Sequence, residues 1–168
     1  CVAALNGVAA GSAFQAVQLC DVRVGHAGSR MGQPEINSGI PSVTGPMLML
    51  PRIGFARTTE LTLTGRLMEA DEAHAIGLIQ HLVPSLADVL PKTRAIAKML
   101  ADKPPIAMRL NKQRLRQVTQ EAFDEAFRNG GAYQAEAFAS GEPQETIRAF
   151  FAERARRRTA RAQSGGTA

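Results

Sequence analysis

The sequence predicts an α/β fold over residues 1–84, followed by an all-helical region over residues 85–157. Three observations predict it. Short apolar runs in the first half are bounded by Asn, Gly and Pro, as buried core strands are. Prolines and glycines fall where elements start and stop: Pro46, Gly65 and Gly77 at helix ends, and Pro84 at the end of a strand. Beyond Pro84 the pattern is helical, with its main breaks at Pro104-Pro105 and from Gly141 to Pro143. The chain has 168 residues, 45% apolar and 21% charged, which excludes a disordered chain or a disulfide scaffold.

The elements follow in order. Residues 1–5, an apolar run ended by Asn6-Gly7, predict a buried strand. Residues 12–20 predict a helix with Phe14, Val17, Leu19 and Cys20 apolar. Asp21-Val22-Arg23-Val24 alternates and predicts a strand. A short extended piece is expected around Met31-Gly32. Residues 37–45, rich in Gly, Ser, Pro and Thr, predict an ordered loop. Pro46 suits a first helical turn, where its missing N–H costs nothing, and Met47 to Leu50 follow it. Residues 55–64 predict a helix stopped at Gly65, and 70–76 a short one closed by Gly77. Leu78 to Val83 reads as a strand. Helices are then expected over 86–102, 105–117, 119–139 and 143–157, and a disordered tail over 158–168.

Composition narrows the function classes. The first Lys or Arg is Arg23, so the opening lacks the basic region of a signal peptide. Asn6, Ser12, Gln15 and Gln18 interrupt it too often for a membrane span. Cys1 and Cys20 are too few for a disulfide framework, and a reduced, cytoplasmic setting is the simpler reading. His26, His74 and His81 lack metal-ligand spacing. The net charge of +5 has local sources. Arg148, Arg154, Arg156, Arg157, Arg158 and Arg161 cluster near the C-terminus, and Arg109, Lys112, Arg114 and Arg116 form a second group. A solvated helix end and attraction of anionic phosphates both fit them. RNA binding fits less well, because the chain has no Trp and one Tyr for base stacking.

Two segments could carry chemistry. Asn6-Gly7-Val8-Ala9-Ala10-Gly11-Ser12 is a strand-to-helix turn, and the unpaired N–H groups of the helix it opens can stabilise an oxyanion. A glycine-bearing turn that binds nothing is the plain alternative. Gly32-Gln33-Pro34-Glu35-Ile36-Asn37 places an acid between apolar segments. Burial there would raise its pKa and suit it to proton transfer. A solvated loop Glu is the alternative.

Together the segments resemble the crotonase superfamily, the enoyl-CoA hydratase/isomerase group. Val2 to Gly11 resembles that family's strand and Gly-rich turn, and Cys20-Asp21-Val22-Arg23 its next strand start. Met31-Gly32-Gln33-Pro34-Glu35 resembles its F-G-x-P-E signature. Gly39-Ile40-Pro41, Leu50-Pro51-Arg52-Ile53-Gly54, Leu63-Thr64-Gly65-Arg66, Glu72-Ala73, Gly77-Leu78-Ile79 and Val83-Pro84 follow in family order.

The resemblance implies a spiral of stacked ββα turns, of which residues 1–84 are the later part, and a helical region over 85–157 serving a homotrimer or dimer of trimers. It implies further ββα turns ahead of residue 1, including the first oxyanion N–H. It implies acyl-CoA thioester substrates, with CoA as part of the substrate and neither metal nor separate cofactor. The second oxyanion N–H falls at Ser12, the two hydratase carboxylate positions at Gln15 and Glu35, and substrate-binding positions at Gly11, Pro34 and Gly39. Ser12 and Gln15 stand where hydratases have Gly and Glu. Ser42-Val43-Thr44-Gly45-Pro46 stands where the family has Gly-Gly. A Gln cannot accept a proton at neutral pH, so double-bond isomerisation through one carboxylate is favoured over ordinary hydration. A non-catalytic acyl-CoA binder or assembly subunit is the alternative.

Overall fold

Two three-stranded sheets organise the first half of the chain. The computed structural model describes residues 1–164. In the first sheet β1 (Val2–Ala4) lies parallel to β3 (Val22–His26), and β3 parallel to β6 (His81–Val83). In the second, β2 (Val8–Ala10) runs parallel to β4 (Arg30–Gly32), which pairs antiparallel with β5 (Leu67–Glu69). The first four strands therefore alternate between the sheets. α1 (Ser12–Leu19) closes the first ββα turn and returns the chain to β3. After β4 come a 3-10 helix (Glu35–Ser38), α2 (Thr44–Thr64), β5, α3 (Ala70–Ala75) and β6. The rest is helical: α4 (Leu86–Ala101), α5 (Pro105–Ser140) and α6 (Glu142–Ser164).

The main core lies where α1, α2 and α3 cover the strands. It gathers Leu5, Ala9, Phe14, Met31, Met49, Leu61, Met68, Leu78 and Ile79. Phe14 is fully buried on α1, worth about 1.5–3 kcal/mol of transfer free energy. A second cluster joins Val24 of β3 to Val89 and Ile96 of α4, so α4 packs on the first sheet. Arg23, 4% exposed, spends its guanidinium on backbone carbonyls. Its Nε donates to Leu78 O at 2.6 Å, and its Nη1 to Cys20 O at 2.8 Å and Val17 O at 3.2 Å. Arg52 Nη2 donates to Gln18 O at 3.0 Å and ties α2 to the same end of α1. On the surface, Arg66 forks onto Glu60 and Glu72 and links α2 to α3.

The α/β order and the helical second half agree with the sequence. Several elements differ. Val8–Ala10 and Leu67–Glu69 are strands where a turn and a helix boundary were expected. The 37–45 loop begins with the second half of a 3-10 helix, and α2 begins at Thr44. The two pieces expected around 46–50 and 55–64 are one element, broken only at Gly54, whose φ is +76°. α5 is a single helix of 36 residues, about 54 Å long, with no break near residue 118. Leu78 and Ile79 precede β6 as buried turn residues. α6 runs past the expected end at 157 to Ser164, so residues 158–164 are helical and not a disordered tail. Residues 165–168 lie outside the described residues.

Candidate active site

Sheet register brings the two candidate segments together. Ala10 of β2 sits opposite Gly32 of β4, so Gly11 and Gln33 leave the sheet side by side. The Gly11 N–H donates to Gly32 O at 3.0 Å. Gly11 turns the chain into α1 at φ +59°, ψ −125°, a region that L side chains avoid. A Cβ at this position would lie 3.1 Å from Glu35 Oε1. Gly11→Ala is therefore expected to lower stability by about 1–3 kcal/mol, read from urea unfolding. Ser12 is exposed in the first turn of α1, where backbone N–H groups have no intrahelical acceptor.

Glu35 opens the 3-10 helix and is half-buried. Burial pushes its carboxyl above the usual carboxylate range, against a weaker opposing backbone hydrogen bond. Two amides face it, each backed by a hydroxyl. Gln15 Nε2 lies 3.4 Å from Glu35 Oε1 and 3.2 Å from Gln33 Oε1. Thr44 Oγ1 donates to Gln15 Oε1 at 2.7 Å, and Ser42 Oγ donates to Gln33 Oε1 at 2.7 Å.

The Gln33 amide has two useful orientations. With Nε2 turned toward Glu35 it donates to both carboxylate oxygens, at 2.9 and 3.0 Å. With Oε1 there, only the protonated acid is tolerated, since it can donate its own O–H. The buried Gln33 thus has a partner for each protonation state of Glu35. Gly45 is needed for space, because a Cβ there would lie 2.4 Å from the Gln33 amide.

The structure brings Gly11, Gln15 and Glu35 into one cluster, with Ser12 opening the helix beside it. Pro34 and Gly39 instead bracket the 3-10 helix, as its N-cap and its left-handed C-cap. Gly39 also lines a cavity of about 480 Å³ with Ile36, Ile40, Pro41, Tyr133 and Ser140. Gln33, Ser42 and Thr44 are cluster members that the sequence reading passed over. The signal was available in their polarity, within and just beyond the segment that carries Glu35.

The remaining candidates lie elsewhere. His26 Nδ1 accepts from the Gly28 N–H, His74 Nδ1 contacts Ile79 O, and His81 lies in β6. Among the described residues no group of three His, Cys, Asp or Glu could hold a metal ion. No described helix is long and apolar enough to cross a membrane. Arg109, Arg114 and Arg116 on α5 and Arg148, Arg154, Arg156, Arg157 and Arg158 on α6 are exposed. The side chain of Arg161 lies outside the described residues. A second cavity, about 880 Å³, lies between α1, α2 and α5 and takes in Cys20, Arg52 and Lys112.

The family model described as enoyl-CoA hydratase/isomerase matches residues 1–158. The chain belongs to the enoyl-CoA hydratase/isomerase family. Within that family it is similar to the probable enoyl-CoA hydratase echA8 of Mycobacterium tuberculosis. The two are 33% identical over 159 residues, covering 92% of this chain and 60% of the relative. The structure of an enoyl-CoA hydratase/isomerase from Pseudoalteromonas atlantica T6c superposes with a TM-score of 0.82 at 26% identity, covering 88% of this chain and 60% of that one. A methylmalonyl-CoA decarboxylase in complex with 2-nitronate-propionyl-CoA superposes at 0.77 with 25% identity, covering 90% and 59%. The chain thus spans about 60% of the length of these family members. The crotonase fold expected from the sequence motifs is the fold observed.

Proposed function

We propose that this chain supplies the proton-transfer half of an acyl-CoA site, acting at C2 of an enoyl-CoA thioester. One observation carries the reading. The cluster at the N-terminus of α1 holds a single acid, Glu35, half-buried against the amides of Gln15 and Gln33. Glu35 takes a proton from the sp3 C2 of a 3-enoyl thioester, and the electron pair moves onto the thioester oxygen. The Ser12 N–H donates to that oxygen as it gains charge, aided by the positive end of the α1 dipole. Return of the proton to C4 completes a double-bond shift. Hydration would need a second carboxylate to activate water, and Gln15 cannot serve as one.

The same Gln favours a second reading, an acyl-CoA binder without turnover. Deuterium exchange at C2 of a saturated acyl-CoA separates the two. The enzyme reading expects exchange by the intact protein, and the binder expects thioester binding with none. Gln15→Glu is expected to raise crotonyl-CoA hydration at least about tenfold, followed by loss of enoyl absorbance.

A homotrimer in a reduced cytoplasm belongs to the proposal. Its support is that Cys1 and Cys20 are free and that the helical region leaves Leu115, Phe127, Phe138, Phe150 and Phe151 exposed for a neighbouring copy to cover.

A further inference from the structure

The Thr44 hydroxyl faces the end of the Gln15 amide that is turned away from Glu35. A carboxamide has two ends of nearly equal size and opposite hydrogen-bonding character. Neighbours decide whether such a group stays against a carboxylate or swings away. Gln15 sits on α1 with its side chain half-buried. Thr44 Oγ1 donates to its Oε1 at 2.7 Å, the shortest contact that Gln15 makes in this cluster. The opposite end, Nε2, then points at Glu35 Oε1, at 3.4 Å. The hydroxyl is held firmly, because Thr44 lies in the first turn of α2 and α2 is tied to α1 through Arg52 and Gln18 O.

We propose that Thr44 is a positioning residue that acts through Gln15, anchoring its amide so that Nε2 remains a hydrogen-bond donor to the Glu35 carboxylate. This rests on the reading of Glu35 as the proton carrier. The donor stabilises the ionised form and opposes burial, which favours the protonated form. Thr44 thus helps set how readily Glu35 releases and takes up its proton without touching the acid.

The other groups facing Glu35 are neutral, namely the Gln33 amide and, behind it, Ser42. The titratable groups that α5 and α6 bring beside this 3-10 helix are Tyr133, Glu136 and Glu142. They line the cavity at Ile36 and Gly39, and no hydrogen bond joins any of them to Glu35.

The test is the carboxyl ¹³C titration of Glu35 in the intact protein, followed by NMR without substrate. Thr44→Val is expected to raise the proton affinity of Glu35 by about three- to tenfold, the strength of one lost hydrogen bond. Thr44→Ser should restore the wild-type midpoint. In a Gln15→Met background, Thr44→Val should add no further shift. If Thr44→Val leaves the midpoint in place, or shifts it as much in the Gln15→Met background as in the wild type, the proposal is overturned. Should Thr44→Val fail to fold, Thr44→Ala carries the same comparison. The titration needs no turnover, so lack of C2 exchange in the wild type would sink the catalytic reading and leave this result standing.

Discussion

Glu35→Gln is expected to slow exchange of the C2 proton of a bound acyl-CoA by about 10²–10⁴-fold, the range supplied by a positioned acid/base group. The substitution keeps the size of the side chain and removes its ability to accept a proton. The fold should survive it, because Gln33 can present either end of its amide to the new neighbour. The wild-type exchange rate should rise with pH through a midpoint above the usual carboxylate range, since burial raises the Glu35 pKa and the reaction uses the ionised form. That rise should vanish in the variant.

Stability should move in the opposite sense. A carboxyl whose folded-state pKa is raised binds its proton more tightly in the folded state. Its contribution is complete below the unfolded-state pKa and is lost as pH rises through the folded one. Glu35→Gln should therefore be the more stable protein at neutral pH, with the gap closing in acid. Urea unfolding at both pH values measures it. A variant that keeps wild-type exchange at C2 would remove Glu35 from the mechanism.

Arg23→Met is the second large effect, and it falls on stability. The guanidinium is buried, and it satisfies carbonyls at the end of α1 and at Leu78, 55 residues further on. Burial and the nearby Arg52 push its pKa down to about 10, so it remains charged at neutral pH. Met fills the volume and leaves those carbonyls without donors. A loss of about 2–5 kcal/mol is expected. In a chain of this length that lowers Tm by on the order of 10 °C, read by calorimetry. Arg23→Lys keeps the charge but offers one ammonium in place of a planar fork, and should recover only part of the loss.

The parts legible in the sequence were those with punctuation. Gly65 and Gly77 sit at left-handed stops, Pro84 falls between β6 and α4, and Pro105 opens α5. The elements missed have local sequences that state something else. Val8-Ala9-Ala10 looks like part of a glycine turn, and its strand identity comes from β4, twenty residues away. Leu67-Met68-Glu69 lies between two helix signals and is extended because β4 pairs with it. Three residues are too few for periodicity to register.

At the site, Glu35 and Gln15 stood out through family motifs. Their polar neighbours did not, because Ser42 and Thr44 look like ordinary loop residues until the fold brings them next to Gln33 and Gln15. The run at 42–46 and Gln15 are two places where the sequence leaves the family pattern, and in space they touch.

The pairing of Ala10 with Gly32 has a consequence for how the sequence can vary in length. Gly11 follows one strand directly, and Gln33 and Glu35 follow its partner within three residues. The ladder therefore acts as a ruler between acid and helix end, graduated in steps of about 3.3 Å. Residues added to the 27–29 turn leave the ruler alone, because they lie ahead of β4. One residue added between Gly32 and Glu35 changes the distance from the carboxylate to Gly11 while the ladder itself stays paired. Such a chain would keep its ladder but pull Glu35 and the buried Gln33 out of register with Gly11. Length changes in this short span are therefore expected to break the Gly11–Gln33–Glu35 arrangement while the strand pairing on either side persists.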